Sequence, residues 1–231
     1  MVWSCLVSIL PGMAQTEKLT DYVNPFVGTD GYGNVYPGAQ IPFGGIQISP
    51  DTDSRFYDAA SGYKYNHLTL MGFSLTHLSG TGIPDLGDFL FIPGTGEMKL
   101  EPGTHEDPDQ GYRSRYSHDK EWASPNYYAV ELADYGVKAE MTSGVRSGMF
   151  RFTYPESDNA FIMIDMNHTL WQSCEWSNLR MINDSTITGY KLVKGWGPER
   201  HVYFTATFSK KLTGLRFVQD KKPVIYNTSR F

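Results

Sequence analysis

Cysteine is nearly absent, with only Cys5 and Cys174 in 231 residues. That excludes a disulfide framework and any zinc site built on several thiolates, since both need clustered cysteines. No run of about 18 apolar residues occurs, so the sequence offers no membrane-spanning helix. Charge is sparse at 19%, and 25 acidic residues outnumber 20 basic ones for a net charge of -5. An acidic balance argues against nucleic acid as a partner, because neutralising phosphates needs a cationic face. Helical periodicity is missing too. No stretch of about 12 residues sustains an i, i+3, i+4, i+7 apolar stripe, which makes a helical domain an unsuitable reading. What the chain does have is 40% hydrophobic and 14% aromatic residues, enough for a core and too much for a disordered chain. Its 23 glycines and 13 prolines fall below the roughly 25–30% share of low-complexity sequences.

Residues 1–14 carry no charge and end in the small-x-small step Gly12-Met13-Ala14 before the chain turns polar at Gln15. This reads as the apolar core and cleavage site of a secretion signal, although the usual cationic start is missing. Cys5 would leave with it, and Cys174 would remain as a single buried free thiol. From about residue 86 onward, apolar residues recur with period two between Gly, Pro, Asn and Asp, which is the strand pattern. Tyr128, Val130 and Leu132 alternate before Asp134-Tyr135-Gly136, and Val137, Ala139 and Met141 after it, predicting a hairpin. Phe150, Phe152 and Tyr154 make one further apolar face, and Val202, Phe204, Ala206 and Phe208 another. Phe161-Ile162-Met163-Ile164 is apolar on both faces, as a central sandwich strand would be. The expected fold is all-β, an antiparallel β-sandwich with a loop-rich N-terminal part. In that part, residues 20–95, glycine, proline and aromatics are dense, and long loops in a compact domain usually carry function.

The familiar small motifs do not fit. Gly28-Thr29-Asp30-Gly31-Tyr32-Gly33 has its glycines in the wrong order for a dinucleotide loop, and Ser79-Gly80-Thr81-Gly82 lacks the lysine of a P-loop. His67, His77, Asp85 and Asp88 are metal-ligand types at spacings that match no recognised site. Ser79 has no elbow motif, and Cys174 has no histidine placed beside it. What remains is a set of rings, Tyr32, Tyr36, Phe56, Tyr57, Tyr63 and Tyr65, beside the carboxylates Asp51, Asp53 and Asp58. Flat rings that stack on sugar faces, next to groups that bond hydroxyls, make a common carbohydrate-site composition. Aromatics packed under a sandwich edge would look the same.

An ordered series of short words is more specific. Val23-Asn24-Pro25-Phe26-Val27-Gly28-Thr29, Tyr36-Pro37-Gly38-Ala39, Pro42-Phe43-Gly44, Ser49-Pro50-Asp51-Thr52, Gly62-Tyr63, Gly72-Phe73-Ser74 and Thr76-His77-Leu78-Ser79-Gly80-Thr81-Gly82 with Gly87-Asp88 follow one another. Together they resemble the N-terminal domain of glycoside hydrolase family 92, secreted bacterial calcium-dependent exo-α-mannosidases. The resemblance implies a large supersandwich over residues 20–231, placed before an (α/α)6 barrel that this chain lacks. It also implies inversion of configuration by a paired acid and base, which must stand about 6.5–9.5 Å apart to admit water. Those carboxylates and the calcium ligands belong to the barrel in the family, so no catalytic or metal-ligating residue is expected here.

The contribution expected of this domain is substrate positioning on a mannose-containing glycan, in a secreted or periplasmic protein that is inactive without its barrel. The resemblance assigns sugar contact to Phe26, Gly28, Asp30, Gly31, Phe43, Gly44, Tyr57 and Asp58. It assigns loop structuring to His77, Ser79, Gly80 and Gly82. Three departures stand out. Many members that cut α-1,2 links carry Trp-Asp-Gly-Cys-Ser-Gly-Tyr where this chain has Tyr57-Asp58-Ala59-Ala60-Ser61-Gly62-Tyr63. The motif histidine before Thr76 is Leu75, and the histidine common near the Tyr-Pro-Gly turn is Asn34. The alternative is a free-standing carbohydrate-binding module, which would hold mannosides unaided and lack a barrel-docking patch.

Overall fold

Period-two stretches become strands, and the glycine and proline clusters between them become turns. The computed structural model describes residues 17–54, 59–219 and 222–224, and the signal-like stretch 1–14 lies outside the described residues. The early strands are short: β1 (Ser49–Asp51), β2 (Thr69–Leu70), β3 (Gly72–Ser74), β4 (Leu90–Thr95) and β5 (Ser114–Arg115). Then come β6 (Glu121–Ser124), β7 (Tyr127–Leu132), β8 (Val137–Ser143), β9 (Gly148–Thr153) and β10 (Ala160–Asp165). The last five are β11 (Ser173–Asn183), β12 (Thr186–Lys194), β13 (Arg200–Thr207), β14 (Phe217–Gln219) and β15 (Lys222–Val224). Among the described residues the helical turns are short 3-10 segments, such as Leu19–Tyr22, Pro108–Gln110 and His118–Lys120, and no helix is long and apolar enough to cross a membrane.

Among the described residues all ladders are antiparallel. The hairpin read from the sequence is β7–β8, with Leu132 opposite Val137 across the turn. β6 and β9 flank it in a sheet of order β6-β7-β8-β9. A second sheet runs β1-β3-β4-β10, and a third β11-β12-β13. The first two face each other through aromatic rings. Phe73 on β3 meets Phe150 and Phe152 on β9 at 6.4 and 6.3 Å, and Phe91 on β4 meets Phe150 at 5.2 Å. Phe73, Tyr128, Val130, Leu132, Val137, Ala139 and Met141 share one buried cluster, so the alternating faces of both sheets turn inward as a sandwich requires. Complete burial of a phenylalanine such as Phe73 contributes about 1.5–3 kcal/mol. The third sheet joins through Phe204, 4.5 Å from Phe89 and 5.9 Å from Phe91.

Two sequence expectations differ from the structure. The Phe161–Ile164 strand is β10, which lies at the edge of its sheet with β4 as its one neighbour among the described residues. Its side chains are only partly covered. Apolarity on both faces therefore does not mark a central position here. Cys174 is half-buried rather than buried, because it lies near the end of the third sheet, with its Sγ 3.5 Å from the Trp176 carbonyl.

Candidate functional site

The loop-rich part forms three loops with a common root. The first runs from Asn24 to Val35. Asn24 Oδ1 accepts the Phe26 N–H at 3.0 Å, and Phe26 O accepts from Thr29 at both its N–H and its hydroxyl. Gly33 then passes so close to Gly28 that a Cβ would sit 2.2 Å from the Gly28 carbonyl oxygen. Only glycine fits there, which accounts for a glycine order that suits no nucleotide. Gly31 O accepts from Lys64 Nζ at 2.9 Å, leaving Asp30, Gly31 and Tyr32 exposed at the tip.

The second loop is the turn Ile41-Pro42-Phe43-Gly44, closed by Gly44 N–H to Ile41 O at 3.0 Å. Proline suits the second position of such a turn and glycine the third. Here the third position is Phe43, held at φ +59° with its ring wholly exposed. A bulky residue in that region costs on the order of 1–3 kcal/mol and persists only where the surroundings enforce it. The third loop, Leu78–Asp85, springs from an isolated bridge between His77 and Leu86. Its Gly80 N–H bonds Asn34 O at 2.7 Å, tying it to the first loop.

His77 is the root of all three. Its ring is buried and packs 5.1 Å from the Tyr36 ring that follows the first loop. Nδ1 faces the Gln47 carbonyl, behind the second loop, at 2.6 Å. Nε2 faces Asp51 Oδ1 at 2.8 Å. The other oxygen of Asp51 accepts from His168 Nε2 at 2.6 Å. Burial alone would raise the Asp51 carboxyl, but the charge of His77 and hydrogen bonds from both rings hold it well below the usual carboxylate range.

A parallel support lies under Phe26. Its ring meets Tyr65 edge-on at 5.7 Å, Tyr65 stacks on His118 at 3.9 Å, and His118 Nδ1 donates to Glu121 at 2.6 Å. Glu121 is buried and also accepts from the hydroxyls of Tyr63 and Tyr128. Further back, Asp88 accepts from Thr76 Oγ1 and pairs with Lys191 at 3.0 Å and Arg200 at 2.5 Å. That pins the third sheet to the segment behind the third loop, where Leu86 and Phe89 also hold positive φ, +73° and +58°.

The glycosyl hydrolase family 92 N-terminal domain model matches residues 22–230. The chain belongs to that family. The family 92 domain is 29% identical, with a TM-score of 0.66, to the solved structure of the GH92 family glycosyl hydrolase ccman5, covering 80% of this chain and 26% of that one. A second solved relative is the family GH92 inverting mannosidase BT2199 from Bacteroides thetaiotaomicron VPI-5482, at 25% identity and TM-score 0.64, covering 82% and 25%. Over 139 residues, 59% of this chain, it is 30% identical to an uncharacterized secreted glycosidase of Arthroderma benhamiae, 17% of whose length is covered. The chain thus spans about a quarter or less of the relatives it matches.

Within this family 92 domain, Phe26, Gly28, Asp30 and Gly31 lie together on the first loop, joined through Asn34 to Gly80 on the third, and Phe43 and Gly44 form the second. Tyr57 and Asp58 lie outside the described residues. Ser79 and Gly82 are exposed on the third loop, and His77 is buried at its base. Sequence reasoning named Asp51 and His77 separately and missed both their contact and His168, which lies 117 residues from Asp51. No local pattern announces such a pairing. Asp85 and Asp88, metal-ligand types by sequence, bond within the chain: Asp85 accepts the backbone N–H of Leu86 and Trp196, and Asp88 pairs with Lys191 and Arg200.

His67 gives a testable pH effect. Burial and the neighbouring His105, 4.1 Å away ring to ring, push its pKa down from 6.5 to about 4. Between those values the unfolded chain binds a proton that the folded one refuses, so stability falls as pH drops through this window. Thermal midpoints measured from pH 7 to 4 should fall for the parent chain and fall less for His67→Gln.

Proposed function

We propose that this domain positions the terminal sugar of a mannose-containing glycan for an inverting exo-α-mannosidase of an exported protein, and that bond cleavage itself is carried by a helical catalytic barrel. The observation that carries the reading is the common root: three loops bearing an exposed ring, an exposed carboxylate and open glycines all depend on one buried histidine. Phe43 offers a flat face to sugar C–H groups. Asp30 and the bare backbone of the glycines offer hydrogen-bond partners to hydroxyls.

Gly82 supports the same reading. It does not hold a positive φ, and a Cβ there would meet nothing within 4 Å. The backbone there is bare, and leaves open space for a ligand to approach. In this reading the calcium expected of the family is held by the barrel.

Titration of methyl α-mannoside into the chain by calorimetry tests the proposal. Weak binding is expected, with Kd on the order of 1 mM, about 4 kcal/mol, together with no release of mannose from α-mannosides. Gly82→Leu should abolish that binding while shifting stability by less than about 0.5 kcal/mol, as surface changes do. Unchanged binding in the variant, or release of mannose by the chain alone, would refute the proposal.

A further inference from the structure

The third loop has a second side. At its far end the Pro84 carbonyl accepts from Gln172 Nε2 at 2.6 Å, and beyond this contact lies a pocket of about 510 Å³. That size is within the roughly 300–1,000 Å³ of small-ligand sites. Its walls include Ile83, Trp171, Gln172, Ser173, Lys194 and Trp196.

The ladder explains why two tryptophans meet here. β11 and β12 pair up to Ser173 opposite Lys194, so Trp171 and Trp196 each stand two residues beyond the last pair, where the two strands part. Neither indole turns inward; they remain 58% and 60% exposed. Trp171 is held there at φ +73° by a turn in which Thr169 Oγ1 donates to Gln172 O. Trp196 is fixed by its backbone N–H, which donates to the buried Asp85.

The lining chooses between ligand classes. An apolar helix or peptide side chain would cover the indoles but bury the ion pair of Lys194 with Glu175, 3.1 Å long, together with the Ser173 hydroxyl that donates to the same carboxylate. Gln172 Oε1 is already buried without a hydrogen-bond partner, and desolvated polar groups of this kind are costly. A polyol satisfies both demands, stacking its C–H face on indole while its hydroxyls add to the bonds that Lys194 and Ser173 already make with Glu175.

We propose that the Trp171–Trp196 pocket is a saccharide site that holds glycan units beyond the terminal sugar, with the Leu78–Asp85 loop as the wall between the two. None of its lining residues is among those to which the family resemblance assigns sugar contact. It rests on the reading of the three loops as a sugar site, but its test does not depend on that reading alone.

The test compares α-linked mannotriose with methyl α-mannoside, titrated into the chain and its variants, with thermal midpoints as a folding control. Trp171→Ala and Trp196→Ala should each weaken mannotriose binding about tenfold, the scale of one buried aromatic anchor, and leave methyl α-mannoside unchanged. Trp196→Phe should restore most of the loss. Equal mannotriose affinity in both alanine variants at unchanged midpoints overturns the pocket while leaving the three-loop site intact. Loss of methyl α-mannoside binding with tryptophan-dependent mannotriose binding retained does the reverse. Absence of mannotriose binding to the parent chain overturns the pocket outright.

Discussion

Asp51→Ala is expected to cost about 3–5 kcal/mol of stability, the scale measured when one partner of a buried charged pair is removed. Asp51 is wholly enclosed, and each of its oxygens takes a hydrogen from a buried histidine ring. Alanine would leave His77 Nε2 and His168 Nε2 facing a void, with only the Ser74 hydroxyl, 3.0 Å from His77 Nε2, as a substitute. Natural domains have about 5–15 kcal/mol in total, so the variant should lose a large part of its urea midpoint. The same group makes the fold acid-sensitive. A carboxyl held below its unfolded value near 4 stabilises fully above that pH and progressively less as pH falls through its folded value. The parent chain should therefore lose stability below about pH 4, and Asp51→Asn should flatten that limb. A variant that unfolds at the parental midpoint would show that the two histidines are not held by this carboxylate.

Phe73→Ala should be comparably damaging, at about 3–5 kcal/mol for a large ring deleted from a packed core. Phe73 has no exposure, stands in register with Pro50 on one side and Phe91 on the other, and meets the rings of Phe150 and Phe152 across the sandwich. Both sheets lose contacts at once, so little collapse into the gap is available. Phe73→Leu keeps most of the volume and should recover more than half of the loss in a denaturant titration. If alanine costs less than about 1 kcal/mol, the two sheets are not held together at this point.

The strands were legible wherever one face is wet and the other dry. The Tyr128–Met141 hairpin shows this: alternation and an Asp-Tyr-Gly turn set its register. Where both faces of a strand are apolar the pattern says nothing about neighbours, so Phe161–Ile164 read as central when it sits at an edge. The loops were legible only as words. Gly33 looks like a failed nucleotide motif until its approach to Gly28 is seen, and the φ of Phe43 leaves no trace in composition. The root was the least legible part, because Asp51, His77 and His168 come from three distant segments and pair through tertiary packing. Trp171 and Trp196 are likewise ordinary in sequence and become neighbours only where β11 and β12 part.

The shared dependence of the three loops on His77 limits how this surface can be remodelled. Tyr36, Gln47 and the imidazole act as a common hinge pin, and exchanging any whole loop for one from a relative would unseat the other two. Retargeting to a different sugar should instead proceed by changing only outermost positions such as Asp30, Tyr32 and Gly82, on an untouched base. Diversity libraries confined to those few sites should retain most of their members as folded protein.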